Sequence, residues 1–145
     1  MVRSRRMRPL VEIARNRELE AGRRLGVVQR RLEEAQAQLD ELKRYRDEYA
    51  ARLRGGASLT ARELGEFRVF LQKLELAIEQ QGKRVEEEAL RLRQSRQTWL
   101  QRHQRTSALD KVLENYRDEE RKEMQRREQR ESDDRGRRGK ADVSE

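Results

Sequence analysis

Few residues in this 145-residue chain could do covalent chemistry. Its one histidine, His103, stands between Arg102 and Gln104 and reads as a solvated residue on a helix face. There is no cysteine, which removes disulfides, thiolate metal sites and cysteine nucleophiles. No glycine-rich phosphate loop with a following lysine, no metal-spaced cluster and no nucleophile–base pair occurs in the sequence. Carboxylate pairs such as Glu33-Glu34 and Asp40-Glu41 are neighbours in a polar segment, with no cleft to raise a pKa. The residues therefore point away from an enzyme and imply no cofactor and no metal.

What remains is recognition by charge and by aromatic surface. The chain holds 36 Lys and Arg against 28 Asp and Glu, a formal net charge of +8. The excess is local. Residues 1–31 contain ten arginines and three acids, residues 32–116 hold 16 basic and 15 acidic groups, and residues 117–145 hold ten of each. Such an arginine block suits bidentate contacts to carboxylates or phosphates, and makes a docking end for an acidic surface or for nucleic acid. Tyr45, Tyr49, Phe67 and Phe70, four of the five Tyr and Phe residues, cluster elsewhere and offer a protein-binding edge.

The elements that position these groups follow from spacing. Leu and Ala dominate the apolar residues, β-branched residues are scarce, and 44% of the chain is charged. That mixture favours helix over sheet and leaves no large globular core. Heptads run from Val11, with a positions Val11, Glu18, Leu25, Leu32, Leu39, Arg46 and Leu53, and d positions Ala14, Ala21, Val28, Ala35, Leu42 and Tyr49. This predicts a helix over about residues 9–54, with Pro9 in its first turn. Gly55-Gly56 ends it. Thr60 and Glu63 form a capping box flanked by Leu59 and Leu64, so a second helix starts near Ala61.

The second heptad run has a positions Leu64, Leu71, Ile78, Val85, Leu92, Trp99, Thr106 and Leu113. Its d positions are Phe67, Leu74, Gln81, Glu88, Ser95, Arg102, Leu109 and Tyr116, polar from Gln81 to Arg102, and with Gly82 they soften the middle. Trp99, at an a position, reads as a packing residue. The expected fold is all-α: a long antiparallel two-helix coiled coil, or α-hairpin, over residues 1–130, with helices at about 9–54 and 61–125 and a turn at 55–60. A disordered charged tail is expected over 131–145. Opposing Leu53 with Leu64 places Leu39 against Ile78 and leaves residues of about 108–125 to overhang as a single helix, pair with something else, or fray. Tyr45 and Phe70 fall at g, beside Gln38.

Two readings of function compete at this level. A basic segment followed by heptads is the outline of a leucine-zipper DNA-binding protein. The second heptad run argues against nucleic acid, as does the apolar stripe Leu10, Val11, Ile13, Ala14, Ala21 and Leu25 through the basic segment. A generic coiled-coil scaffold is the other alternative.

A longer ordered set of residues resembles the flagellar export protein FliJ family. It begins with Ser4-Arg5-Arg6-Met7-Arg8-Pro9-Leu10, Arg17-Glu18, Ala21, Leu25-Gly26 and Gln29. It continues through Gln38-Leu39, Leu42, Tyr45-Arg46 and Tyr49, then Phe70-Leu71, Leu74, Ala77-Ile78 and Gln80-Gln81. Trp99, Leu109, Tyr116-Arg117, Glu119-Glu120 and Arg127-Glu128-Gln129 complete a likeness covering residues 3–130. The resemblance implies a non-enzymatic component of the flagellar type III protein export apparatus. It would act as a stalk-like coupling protein between the export ATPase hexamer and the membrane export gate protein, and as an escort for export chaperones of late substrates. By the same likeness, the protein would be cytoplasmic and peripherally associated with the inner membrane at the flagellar base. The resemblance assigns Gln38, Leu42, Tyr45, Tyr49, Phe70, Leu74, Ala77 and Gln81 to export-gate binding. It assigns the ATPase-docking end to the free helical ends, here Arg5, Arg8, Arg15, Arg17, Arg24, Trp99, Leu109, Leu113 and Tyr116.

Overall fold

A computed structural model describes residues 2–55 and 58–143, with side chains to residue 140. Two helices account for nearly all of it: α1, Val2–Arg54, and α2, Ala61–Val143. The described residues contain no strand. The chain divides into two compact units, residues 20–100 and residues 1–19 with 101–145. Within each unit a segment of α1 packs antiparallel on a segment of α2, giving the all-α hairpin that the heptads predict.

The burial pattern follows the heptad assignment closely. Every a and d position named above, on both helices, is buried or half-buried. In the unit formed by residues 20–100, Leu39, Leu74 and Ile78 form the buried cluster, with Leu42 and Val85 packed against it. The link between the helices is equally local in origin. The Gly55 N–H donates to Ala51 O at 2.9 Å, closing the last turn of α1. At the start of α2 the Glu63 N–H donates to Thr60 Oγ1 at 3.2 Å, and Glu63 Oε2 accepts from the Thr60 N–H at 3.4 Å. This is the expected capping box, and it satisfies two donors that an α-helix start leaves open. Gly56 lies outside the described residues.

Two boundaries differ from expectation. α1 starts at Val2, not near residue 9, so Pro9 lies inside the helix. The reason is a cap supplied across the hairpin. Ser4 Oγ donates to Glu120 Oε2 at 2.7 Å, and the Ser4 N–H donates to Glu120 Oε1 at 3.2 Å. α1 has no acidic residue of its own in its first turn, so the Glu120 carboxylate supplies the negative charge that a helix N-terminus favours. Arg3 adds a cation–π contact, its guanidinium carbon 5.8 Å from the centroid of the Tyr116 ring.

Of the three fates open to the segment beyond residue 107, the same contacts show pairing for its first part. Leu109, Leu113, Tyr116 and Glu120 are buried or half-buried, and the seam gains Ser4 and Met7 on α1. Partners at this end lie further along α2 than pairing Leu53 with Leu64 would place them. Finally, α2 does not stop at 125 but runs as helix to Val143, through most of the segment expected to be disordered. Residues 121–140 are exposed throughout, and only intrahelical ion pairs such as Arg127–Glu123 and Arg135–Glu131 support them.

Candidate protein-docking surfaces

In the unit of residues 20–100, the d and g columns of both helices share one face. Gln81 Nε2 shows this directly, donating to Gln38 Oε1 at 3.2 Å and to Ala35 O at 3.0 Å across the seam. Leu42 and Leu74 belong to the packed cluster beneath this face. Tyr49 is wedged among aromatics, its ring 5.3 Å from Phe67 and 4.8 Å from Phe70, both tilted. The Arg52 guanidinium carbon lies 5.4 Å from the centroid of the same tyrosine ring. Outside this layer, Tyr45 is 49% and Phe70 43% exposed, with Gln38 also exposed and Ala77 half-buried beside them. All eight residues expected for gate binding therefore fall on one face. They divide into a presented edge, Gln38, Tyr45 and Phe70, and a supporting layer.

The nine residues expected at the ATPase-docking end do not form one set. Arg24 and Trp99 belong to the unit of residues 20–100; Trp99 is half-buried and lies 3.6 Å from where a Cβ on Gly22 would sit. It is the packing residue its a position predicts. The other seven belong to the unit of residues 1–19 and 101–145. There Leu113 is buried and Leu109 and Tyr116 half-buried, so they hold the seam. Arg5, Arg8 and Arg15 line an open groove whose floor includes Val11 and Leu113, and Arg17 is exposed. The groove also carries Glu12, Asp110 and Glu114, and Arg15 is already engaged with Asp110 at 2.9 Å. Arg5 and Arg8 thus offer more to an anion than Arg15 does.

His103 is exposed on its helix face, as expected, and it also makes a contact across the hairpin. Its Nδ1 stands 2.6 Å from Glu18 Oε1, joining the helices at a seam position. The buried Thr106 donates from Oγ1 to Arg102 O at 3.0 Å. Hydrogen bonding from His103, with smaller help from Thr106 and Arg15, outweighs desolvation and holds the Glu18 carboxyl below its ordinary value of 4.5. This is a structural polar layer across the seam. Among the described residues, no group of three or more His, Cys, Asp and Glu side chains could hold a metal ion. Nor is any helix among them long and apolar enough to cross a membrane.

Sequence reasoning missed the Ser4–Glu120 cap and the Glu18–His103 link, since both depend on cross-hairpin register at the open end. It named Glu88 as a polar d residue but not its consequence. Glu88 is 6% exposed, bonded to Arg91 at 2.6 Å, and its Oε2 has no partner.

These features define an all-helical protein: an antiparallel coiled coil with a thin, partly polar seam and exposed aromatic and arginine side chains. The sequence model of the family described as "Flagellar FliJ protein" matches residues 3–140, nearly the whole chain, and the chain belongs to that family. It is a flagellar export-related protein. Comparisons with curated proteins and with solved structures returned no match.

Proposed function

We propose that this protein is a non-enzymatic coupling protein of flagellar export. In this role the arginine-lined groove meets the export ATPase hexamer, and the aromatic d/g face meets the export gate. It also escorts export chaperones for late substrates, working in the cytoplasm against the inner membrane at the flagellar base. The observation that carries this reading is the chemical contrast between the two units. One presents exposed Tyr45 and Phe70 over a packed layer; the other presents Arg5 and Arg8 on a groove, with Arg17 exposed on the same helix. A surface of the first kind suits an apolar protein patch, and one of the second kind suits carboxylates.

The test is binding and turnover with the matching ATPase and with the cytoplasmic part of the gate. R5E/R8E/R17E should weaken ATPase association and leave gate binding, whereas Y45A/F70A should do the reverse. Loss of both in both variants, or of neither, sinks the assignment. Arg15 and Tyr49 are poor targets, because their replacement also removes the cross-hairpin contacts to Asp110 and Phe67. Nucleic-acid binding is disfavoured by Val11, Ala14 and Ala21, which are 2%, 5% and 7% exposed: the basic helix commits these residues to the seam, while Leu10 and Ile13 stay exposed.

A further inference from the structure

The g columns of the unit formed by residues 20–100 hold a second feature, beyond the aromatic edge. One heptad before Gln38 on α1 stands Arg31, and one before that Arg24; one heptad after Ala77 on α2 stands Arg84, then Arg91. All four are exposed. They share the face that the Gln81–Gln38 hydrogen bond identifies.

Positions of this kind, facing each other across an antiparallel pair, ordinarily carry opposite charges that stabilise the pairing. Here arginine faces arginine, and the repulsion is only partly offset. Arg24 pairs with Glu20 at 2.8 Å and Arg91 with Glu88 at 2.6 Å. Arg31 and Arg84 form no ion pair with any described residue. The layer one heptad along from Gln38 and Gln81 brings Arg31 to Glu88, yet they form no ion pair, and Glu88 Oε2 stays buried without a partner. The cluster therefore combines two guanidinium groups that form no ion pair with a carboxylate that fills only half of its own demand.

We propose that Arg24, Arg31, Arg84 and Arg91 form a docking site for one face of an acidic helix of a protein partner, with carboxylates about a heptad apart. Charge complementarity and the shape of the patch select this occupant. The arginines occupy a strip about one heptad long, roughly 10 Å at 1.5 Å rise per residue. The neighbouring c columns carry Glu20, Glu34 and Glu87, so the positive strip is narrow. A bilayer or a duplex presents phosphates over a broad surface and would meet those acids too. A helix bearing carboxylates along one face fits between them, and arginine forks receive carboxylates in bidentate pairs. The site stands whether or not the aromatic edge beside it meets the export gate.

The test uses the full chain and a fluorescein-labelled helical peptide of about three heptads with glutamates confined to one face. Controls are a peptide of the same composition with its glutamates distributed around the helix, a 20-base-pair DNA duplex, and phosphatidylglycerol–phosphatidylcholine vesicles. Anisotropy titrations at about 0.15 M salt should show the one-faced peptide binding at least tenfold more tightly than the distributed one. R31E/R84E should abolish that preference, while the charge-matched R23E/R30E on the outer face should retain it, with circular dichroism unchanged in both. E88Q, which removes the competing carboxylate, should tighten peptide binding. Equal binding of the two peptides, stronger binding of duplex or vesicles, or equal loss in R23E/R30E would overturn the proposal. So would concentration-dependent self-association removed by R31E/R84E, which would make a second copy the occupant.

Discussion

Replacing Glu88 with leucine should make the protein more stable, an outcome opposite to that expected for most substitutions of a buried residue. Glu88 sits at a d position, 6% exposed, with one oxygen on Arg91 and the other without a partner. Relief of the unsatisfied oxygen contributes about 1–3 kcal/mol, and a buried leucine side chain adds about 1.5–3 kcal/mol. Against this stands the ion pair with Arg91, whose side chain is 54% exposed, so its loss costs about 1 kcal/mol at most. The net gain is about 1.5–5 kcal/mol. At an unfolding entropy of ~2.1 cal/mol/K per residue, this moves Tm up by roughly 5–16 °C. Urea denaturation followed at 222 nm should show a higher midpoint with unchanged slope. Gln81→Leu is the internal control. Its amide is satisfied by Gln38 and Ala35, so the same apolar swap should change stability by less than ~1 kcal/mol. An E88L midpoint at or below that of the parent chain would refute the reading of a seam weakened by an unsatisfied charge.

Other consequences follow from the same packing. Leu39→Ala and Leu113→Ala, at 8% and 6% exposure, should each cost about 2–4 kcal/mol in the same denaturation assay. Gly82→Ala should add about 0.5–1 kcal/mol, because no atom lies within 4 Å of the new methyl and alanine is the better helix former. Glu18 titrates below its ordinary 4.5 in the folded chain, so its contribution is complete above that value and lost as pH falls through the depressed folded value. The urea midpoint of His103→Gln should accordingly fall less than that of the parent chain as pH drops below about 4.5. Removing residues 131–145 should shift Tm by less than ~1 °C, since the side chains described there are all exposed, and amides of 122–140 should exchange fastest within α2.

Most of the hairpin was legible because a two-helix seam has only one pattern to encode. The heptad columns name the inward residues, polar ones included: Glu18, Arg46, Gln81, Glu88 and Arg102 all turn inward as their positions require. Thr60 and Glu63 marked the start of α2 because a capping box is written within four residues. The beginning of α1 was not legible, since the acceptor that caps its first turn is Glu120, far away in sequence, bonded by the Ser4 N–H and hydroxyl. Pro9 then read as a first-turn residue although the helix passes through it. The arginines were countable from sequence, but their availability was not. Arg15 is tied to Asp110 while Arg31 forms no ion pair, a difference set by register rather than by residue type. Likewise the gate-assigned residues were nameable, but which of them form the exposed edge became visible only from packing.

The coupling role rests on two surfaces that can be disabled separately. Its most direct test is a paired pull-down of R5E/R8E/R17E and Y45A/F70A against the export ATPase and the gate's cytoplasmic domain, with circular dichroism confirming that both variants keep their helices. The expected result is a crossed pattern: the arginine variant loses the ATPase and keeps the gate, and the aromatic variant keeps the ATPase and loses the gate. Two well-folded variants that each bind both partners as the parent chain does would contradict it.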